Sequence, residues 1–241
     1  MARAESIGLS SPLHSSRRAV AVWLLLCIAV PSGAAAAAFE ARVVDAAGAP
    51  LADAVVSLRA TGATGATPLP APAGAVMDQR DKTFVPHVLV VQRGAAVRFP
   101  NSDQIRHHVY SFSEPKRFEL RLYKGTPAEP VVFDRAGTVV LGCNIHDSML
   151  AFVRVVDTPW FGKTDASGVA RIDGVPAGAF VAESWHPRLG PAAAPIEAPV
   201  ALVAGADATL DVKLELGPEI VVSPRKRGLR DRARTAASGA P

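Results

Sequence analysis

The segment Arg117-Phe118-Glu119-Leu120-Arg121-Leu122-Tyr123 alternates apolar and charged side chains with a period of two. Such alternation puts Phe118, Leu120 and Leu122 on one face of an extended strand and the charges on the other. Residues 208–216 repeat the pattern through Leu210, Val212, Leu214 and Leu216. After residue 38 no long run shows apolar residues at the 3.6-residue spacing of an amphipathic helix. The chain's 20 prolines and 19 glycines, all but two of each after residue 38, cut the remainder into short Val-rich stretches. The expected fold class is therefore all-β.

The first 38 residues stand apart. Arg17 and Arg18 precede an apolar run at 19–30, and the run is followed by Pro31, Ser32, Gly33 and a row of alanines. This is the layout of a secretory signal, expected to be removed, and the paired arginines hint at the twin-arginine route. The run of about a dozen apolar residues falls short of the roughly 20 that cross a bilayer as a helix, so no stable membrane span is expected in the mature form. Cys27 lies in this segment, which leaves Cys143 as the one cysteine of the mature chain. Exported proteins commonly use cysteines in disulfide pairs. A single one points to intermolecular pairing, a reactive thiol or a metal ligand.

The formal net charge of +4 does not indicate a nucleic-acid partner. Residues 217–241 alone carry Arg225, Lys226, Arg227, Arg230, Arg232 and Arg234 against Glu219 and Asp231. The excess sits in a tail whose composition is that of a disordered, solvated extension, and the folded part is not basic.

Between signal and tail the chain divides by composition. Residues 39–60 read as two strands around the turn Asp45-Ala46-Ala47-Gly48-Ala49-Pro50, and 61–75 form a flexible linker of small residues and prolines. A β-rich unit occupies 76–157. In 158–216, turns at 165–168 and 174–178 flank a strand at 169–172, and a further strand covers 180–186. Neither outer piece has enough strands to bury a core alone. The pieces resemble the opening and closing halves of a carboxypeptidase-regulatory-like, prealbumin-like β-sandwich. That implies one sandwich, 39–60 plus 158–216, split by an inserted central unit.

Chemistry concentrates in the central unit. Residues 138–141 read as a strand leading into Gly142-Cys143-Asn144-Ile145-His146-Asp147-Ser148-Met149, and 151–156 read as the strand that follows. The intervening loop can gather Cys143, His146 and Met149 about one point. A histidine from another strand end, His107 or His108, completes the set; neighbours on a strand face opposite ways, so both cannot join it comfortably. Thiolate and thioether are soft donors and imidazole is borderline, a combination that suits copper cycling between Cu(I) and Cu(II). Structural zinc sites have little use for a thioether.

Phe84-Val85-Pro86, Gly94, Val97-Arg98-Phe99-Pro100-Asn101-Ser102-Asp103, His107-His108-Val109 and the Cys-x2-His-x2-Met loop together resemble a cupredoxin domain, amicyanin- and plastocyanin-like. The wider arrangement is similar to proteins described as methylamine utilization proteins. The resemblance implies a Greek-key β-sandwich holding one type 1 copper ion. It assigns Cys143 as thiolate ligand, His146 as an imidazole ligand, Met149 as axial ligand and His107 as the other imidazole, with His108 the alternative. It implies periplasmic one-electron transfer with a redox partner protein such as a c-type cytochrome or dehydrogenase, and no enzymatic activity. Copper storage or delivery, docking to a client through the outer sandwich, is the competing reading. A multicopper enzyme would need another metal centre, and His87 and His186 read as strand or structural residues. No haem Cys-x-x-Cys-His motif, nucleophile elbow or phosphate-cradling Gly-Lys loop is present. Arg106, Lys116, Arg117, Arg121 and Lys124 read either as a docking surface for an acidic partner or as a solvated strand face.

Overall fold

The computed structural model describes residues 37–61 and 72–218. Nearly all of the expected signal segment, most of the 61–75 linker and the tail beyond residue 218 lie outside the described residues. The all-β expectation holds: among the described residues there are seventeen strands, no α-helix, and a 3-10 turn at Pro187–Leu189. No helix among them is long and apolar enough to cross a membrane.

Seven strands come from the two outer segments. They are β1 (Ala37–Asp45), β2 (Val55–Ala60), β13 (Phe161–Lys163), β14 (Val169–Val175), β15 (Gly178–Trp185), β16 (Ile196–Leu202) and β17 (Ala208–Leu214). They make two sheets, in the orders β14-β1-β17 and β13-β2-β15-β16. Alternate residues of β1 (Phe39, Ala41, Val43), β2 (Val56, Leu58) and β15 (Phe180, Ala182) turn inward and meet in one apolar cluster, the period-two burial that a sheet face requires.

The expected turn after β1 forms. The Asp45 carboxylate accepts the Ala47 and Ala49 N–H groups, each at 2.9 Å. It does not close a hairpin, because β1 pairs with β14 and β17 while β2 enters the other sheet. At the second expected turn, Gly168 adopts φ 76°, and a Cβ there would come within 2.6 Å of the Val43 carbonyl oxygen. Only glycine lets that turn approach β1 so closely.

The central segment supplies β3 (Ala75–Val76), β4 (Asp78–Arg80), β5 (Thr83–Val85), β6 (Val88–Gln92), β7 (Ala95–Arg98), β8 (His107–Ser111), β9 (Phe118–Tyr123), β10 (Val131–Phe133), β11 (Gly137–Cys143) and β12 (Leu150–Val156). A five-stranded sheet, β6-β12-β11-β8-β9, accompanies a three-stranded one, β10-β7-β3, and the hairpin β4-β5. Met77, Phe84, Val97, Phe99, Val109, Phe133, Leu141 and Val153 form the apolar core of this segment, and Cys143 and Met149 belong to the same cluster. A third, small cluster of Val55, Val88, Phe152 and Trp185 links strands β2 and β15 to β6 and β12.

One expectation fails in an informative way. Leu122 is 50% exposed rather than buried. The β8–β9 register slips between His107↔Tyr123 and Val109↔Leu120, so β9 carries an extra residue there. A bulge of this kind reverses the facing of the residues beyond it. It turns Tyr123 inward, where its hydroxyl donates to the Phe99 carbonyl at 2.8 Å. The bulge therefore lies beside His107, one of the two histidines the sequence offers as an imidazole ligand.

Candidate metal centre

Strand alternation positions the first group. His107, Val109 and Ser111 of β8 are buried, while His108 and Tyr110 are less so and face the other side. Cys143 ends β11, held against β8 by the pairing Cys143↔Val109. The chain then turns back within six residues, and the Met149 N–H donates to the His146 carbonyl at 3.0 Å as it enters β12. His107, Cys143 and His146 thereby offer ligand atoms that all lie within 4.8 Å of one another.

The atoms that face inward are the ones a metal would use. His107 Nδ1 is 3.8 Å from Cys143 Sγ. Nitrogen and sulfur donors about 2.0 and 2.3 Å from a shared ion and about 120° apart would sit roughly 3.7 Å from each other. His146 Nδ1 is buried and has no hydrogen-bond partner among the described residues. A buried imidazole nitrogen left unpaired is costly unless something binds it. Burial, then repulsion from His107 and Lys82, holds His146 below the ordinary histidine range, with the Asp103 carboxylate opposing. The neutral ring keeps a lone pair for coordination.

Behind His107 stands a carboxylate clamp. Asp103 Oδ2 lies 2.7 Å from His107 Nε2 and accepts the Lys82 N–H at 2.9 Å, while Oδ1 accepts the Asp81 N–H at 2.7 Å. Burial tends to raise the Asp103 carboxyl, but hydrogen bonds from Lys82, His107 and Asp81 outweigh it and hold the group below the usual carboxylate range. Asp81 and Lys82 form the tip of the β4-β5 hairpin with φ of 52° and 56°. Two non-glycine residues in the left-handed region carry strain, and the carboxylate that receives both N–H groups offsets it. One side chain thus fixes both the hairpin tip and the His107 ring. Pairing Nε2 with a carboxylate leaves Nδ1 free to face Cys143.

A buried polar pair lies nearby. Gln79, fully buried, donates through Nε2 to the Pro100 carbonyl and to the Tyr123 hydroxyl. Burial pushes the Tyr123 phenol up to about 12, with the Cys143 sulfur and Asp78 adding to the effect.

The structure brings together His107, Cys143 and His146. Met149 is buried in the cluster that contains Cys143. His108, the alternative to His107, is turned away: its Nε2 lies 2.8 Å from Glu119 Oε1 on the outer face, an electrostatic contact rather than a well-aligned hydrogen bond. The β8 alternation is the reason. His87 is exposed, with Nδ1 3.2 Å from the Leu150 carbonyl oxygen. His186 caps the 3-10 turn by accepting the Arg188 N–H at 3.2 Å. Sequence reasoning placed Asp103 in a motif but missed its role as the clamp on His107. Its position four residues before His107 in a non-helical stretch was the available signal.

Asp103→Asn should keep the fold while weakening metal binding about 10- to 100-fold, the usual loss when a partner behind a ligand is removed. Competition titration of copper against a chelator measures it. Unchanged affinity would show that the clamp serves only the hairpin.

No model of a known protein family matches the chain, and no curated protein matches it. Among solved structures it is similar to a purple cupredoxin from Nitrosopumilus maritimus, 19% identical over 34% of this chain and 99% of that one, with a TM-score of 0.31. It is also similar to a reduced single-site mutant of amicyanin, 25% identical over 34% of this chain and 80% of that one, TM-score 0.31. A copper-containing nitrite reductase from Thermus scotoductus is 24% identical over 47% of this chain and 28% of that one, TM-score 0.32.

Proposed function

We propose that this chain binds one copper ion through His107, Cys143, His146 and Met149 and acts in periplasmic one-electron transfer. The observation that carries the reading is the convergence of His107, Cys143 and His146 donor atoms within 4.8 Å, with a buried His146 Nδ1 that has no hydrogen-bond partner among the described residues. The donor chemistry fits: one thiol, two imidazoles and a thioether in reserve suit copper better than zinc or calcium. Copper bound there would supply a one-electron couple, since soft sulfur and borderline nitrogen donors accommodate both of its oxidation states.

The residues of the chain do the rest. Pairing of β11 with β8 and β12 holds Cys143 on a rigid sheet, so its sulfur keeps one position. The Asp103 clamp keeps the His107 ring from turning. His146 is partly exposed, and Ile145 beside it is 48% exposed. A partner can approach at that edge without water reaching Cys143, which is 3% exposed. Residues 39–60 and 158–216 are read as one split sandwich carrying the central copper-binding unit, and export rests on the 1–38 segment.

Adding Cu(II) to the metal-free mature chain should give an intense visible absorption from thiolate-to-copper charge transfer, at one ion per chain. The colour should vanish and return on reversible reduction. Colourless Cu(I) that passes readily to an acceptor would instead favour storage or delivery, and the absence of copper binding would end the reading.

A further inference from the structure

We propose that the groove on the outer face of β8 and β9 is a docking port for an acidic protein segment that presents an aromatic side chain. The groove, about 570 Å³, is lined by His108, Tyr110, Phe112, Arg117, Glu119 and Asn144, with Phe118 and Ser111 completing its wall. Its rings form a ladder. His108 and Tyr110 stand 6.3 Å apart between centroids, edge to face, and Tyr110 and Phe112 are 5.1 Å apart. The ladder ends on Phe112, 78% exposed. An aromatic left this open at the end of a row of edge-to-face and tilted rings has room for one more ring.

The groove reaches the neighbourhood of Cys143 through Tyr110 and Asn144. A Cβ on Gly142 would come within 2.8 Å of the Tyr110 ring, so that ring lies directly over the backbone preceding Cys143. Asn144, which follows Cys143, donates its N–H to the His108 carbonyl at 3.2 Å. An occupant would therefore lie on Tyr110 and Asn144, which touch or continue the backbone on either side of Cys143, while the thiol points to the opposite face of the sheet. For its purpose the port rests on the copper reading, whereas binding at the port needs no metal.

Charge selects the occupant. Glu119 is already engaged by His108 at 2.8 Å and Arg121 at 3.3 Å. Arg117 is exposed and makes no hydrogen bond or ion pair among the described residues. The groove thus offers one uncommitted positive charge beside its aromatic wall. The chain's own segment 219–241 carries six basic residues against two acidic ones, a charge that does not complement Arg117. A second copy would bring an identical Arg117 to the same place. An acidic segment with an aromatic residue satisfies both the charge and the ring ladder.

The test uses the metal-free, isotope-labelled mature chain and the capped pentapeptide Glu-Asp-Phe-Asp-Glu at millimolar concentration. Saturable shifts are expected at the backbone amides of Tyr110, Phe112, Arg117 and Asn144. A peptide with alanine for phenylalanine should bind more weakly, and Lys-Lys-Phe-Lys-Lys should not bind. Arg117→Glu and Phe112→Ala, both at exposed positions, should each weaken binding about fivefold, the scale of one exposed ion pair or one added ring contact. The proposal is overturned by the absence of saturable shifts, by shifts centred on Ile145 and His146, or by an Arg117→Glu variant that binds the peptide unchanged. A visible spectrum of the same preparation after addition of Cu(II) separates the two readings. Peptide binding without a charge-transfer band sinks only the copper function, and a band without peptide binding sinks only the port.

Discussion

Cys143→Ser is expected to abolish the thiolate-to-copper absorption and to lower copper affinity by more than about 100-fold. Even partners behind a ligand are commonly worth about 10- to 100-fold, and the sulfur is a direct donor in the proposed site. Serine is a close steric match, so its hydroxyl occupies nearly the same volume in a pocket where Cys143 is 3% exposed. The hydroxyl is too weakly acidic to replace a thiolate. His107 Nδ1, 3.8 Å from the sulfur, should keep its position because Asp103 and the β8 ladder hold the ring from behind. The fold should therefore survive, as unchanged amide spectra of the metal-free variant would show. Visible absorption during copper titration, alongside metal content, reads the outcome. A variant that keeps the band would remove Cys143 from the centre and end the proposal.

The strands were legible in the sequence because their alternation is local. Residues 117–123 and 208–216 announce strands by their period-two alternation alone, and β9 and β17 form within those limits. Their partners were not legible. β1 pairs with β14 and β17, well over 100 residues further along the chain, and no period-two pattern states which distant strand will be the neighbour. The bulge in β9 escaped for a related reason. An inserted residue leaves Leu122 in perfect alternation on paper and exposes it in the fold.

The same contrast runs through the candidate site. Cys143, His146 and Met149 share one short loop, so their spacing alone drew attention to them. The choice between His107 and His108 depended on which face of the sheet that β8 shares with β11 turns toward the core, a tertiary fact. The hairpin tip was hidden by its chemistry. Two-residue turns with positive φ usually announce themselves by Asn-Gly or Asp-Gly, but here Asp81 and Lys82 take that role and Asp103 holds them. Tyr110 over Gly142 gave no sequence signal, since a glycine before a cysteine reads as a strand end until the neighbouring ring is seen.

Trp185→Ala should cost about 3–5 kcal/mol, the range for deleting a fully buried large aromatic. Trp185 is 1% exposed and packs against Val55, Val88 and Phe152. Its ring meets that of Phe152 at 6.0 Å, and the Arg154 guanidinium sits 5.4 Å from its centroid. The indole N–H is buried with no partner among the described residues, so the alanine variant forfeits packing and no hydrogen bond. Trp185→Phe then separates the two contributions. It keeps most of the ring contact and removes an unsatisfied donor whose burial costs about 1–3 kcal/mol, so its stability should lie close to that of the parent chain. Because this four-residue cluster is the apolar link between β2 and β15 on one side and β6 and β12 on the other, its loss should also reduce cooperativity. Denaturant unfolding followed by amide exchange in β1 and in β11 should give coincident midpoints for the parent and separated midpoints for Trp185→Ala. An alanine variant within about 1 kcal/mol of the parent, with midpoints still coincident, would show that other contacts carry the connection.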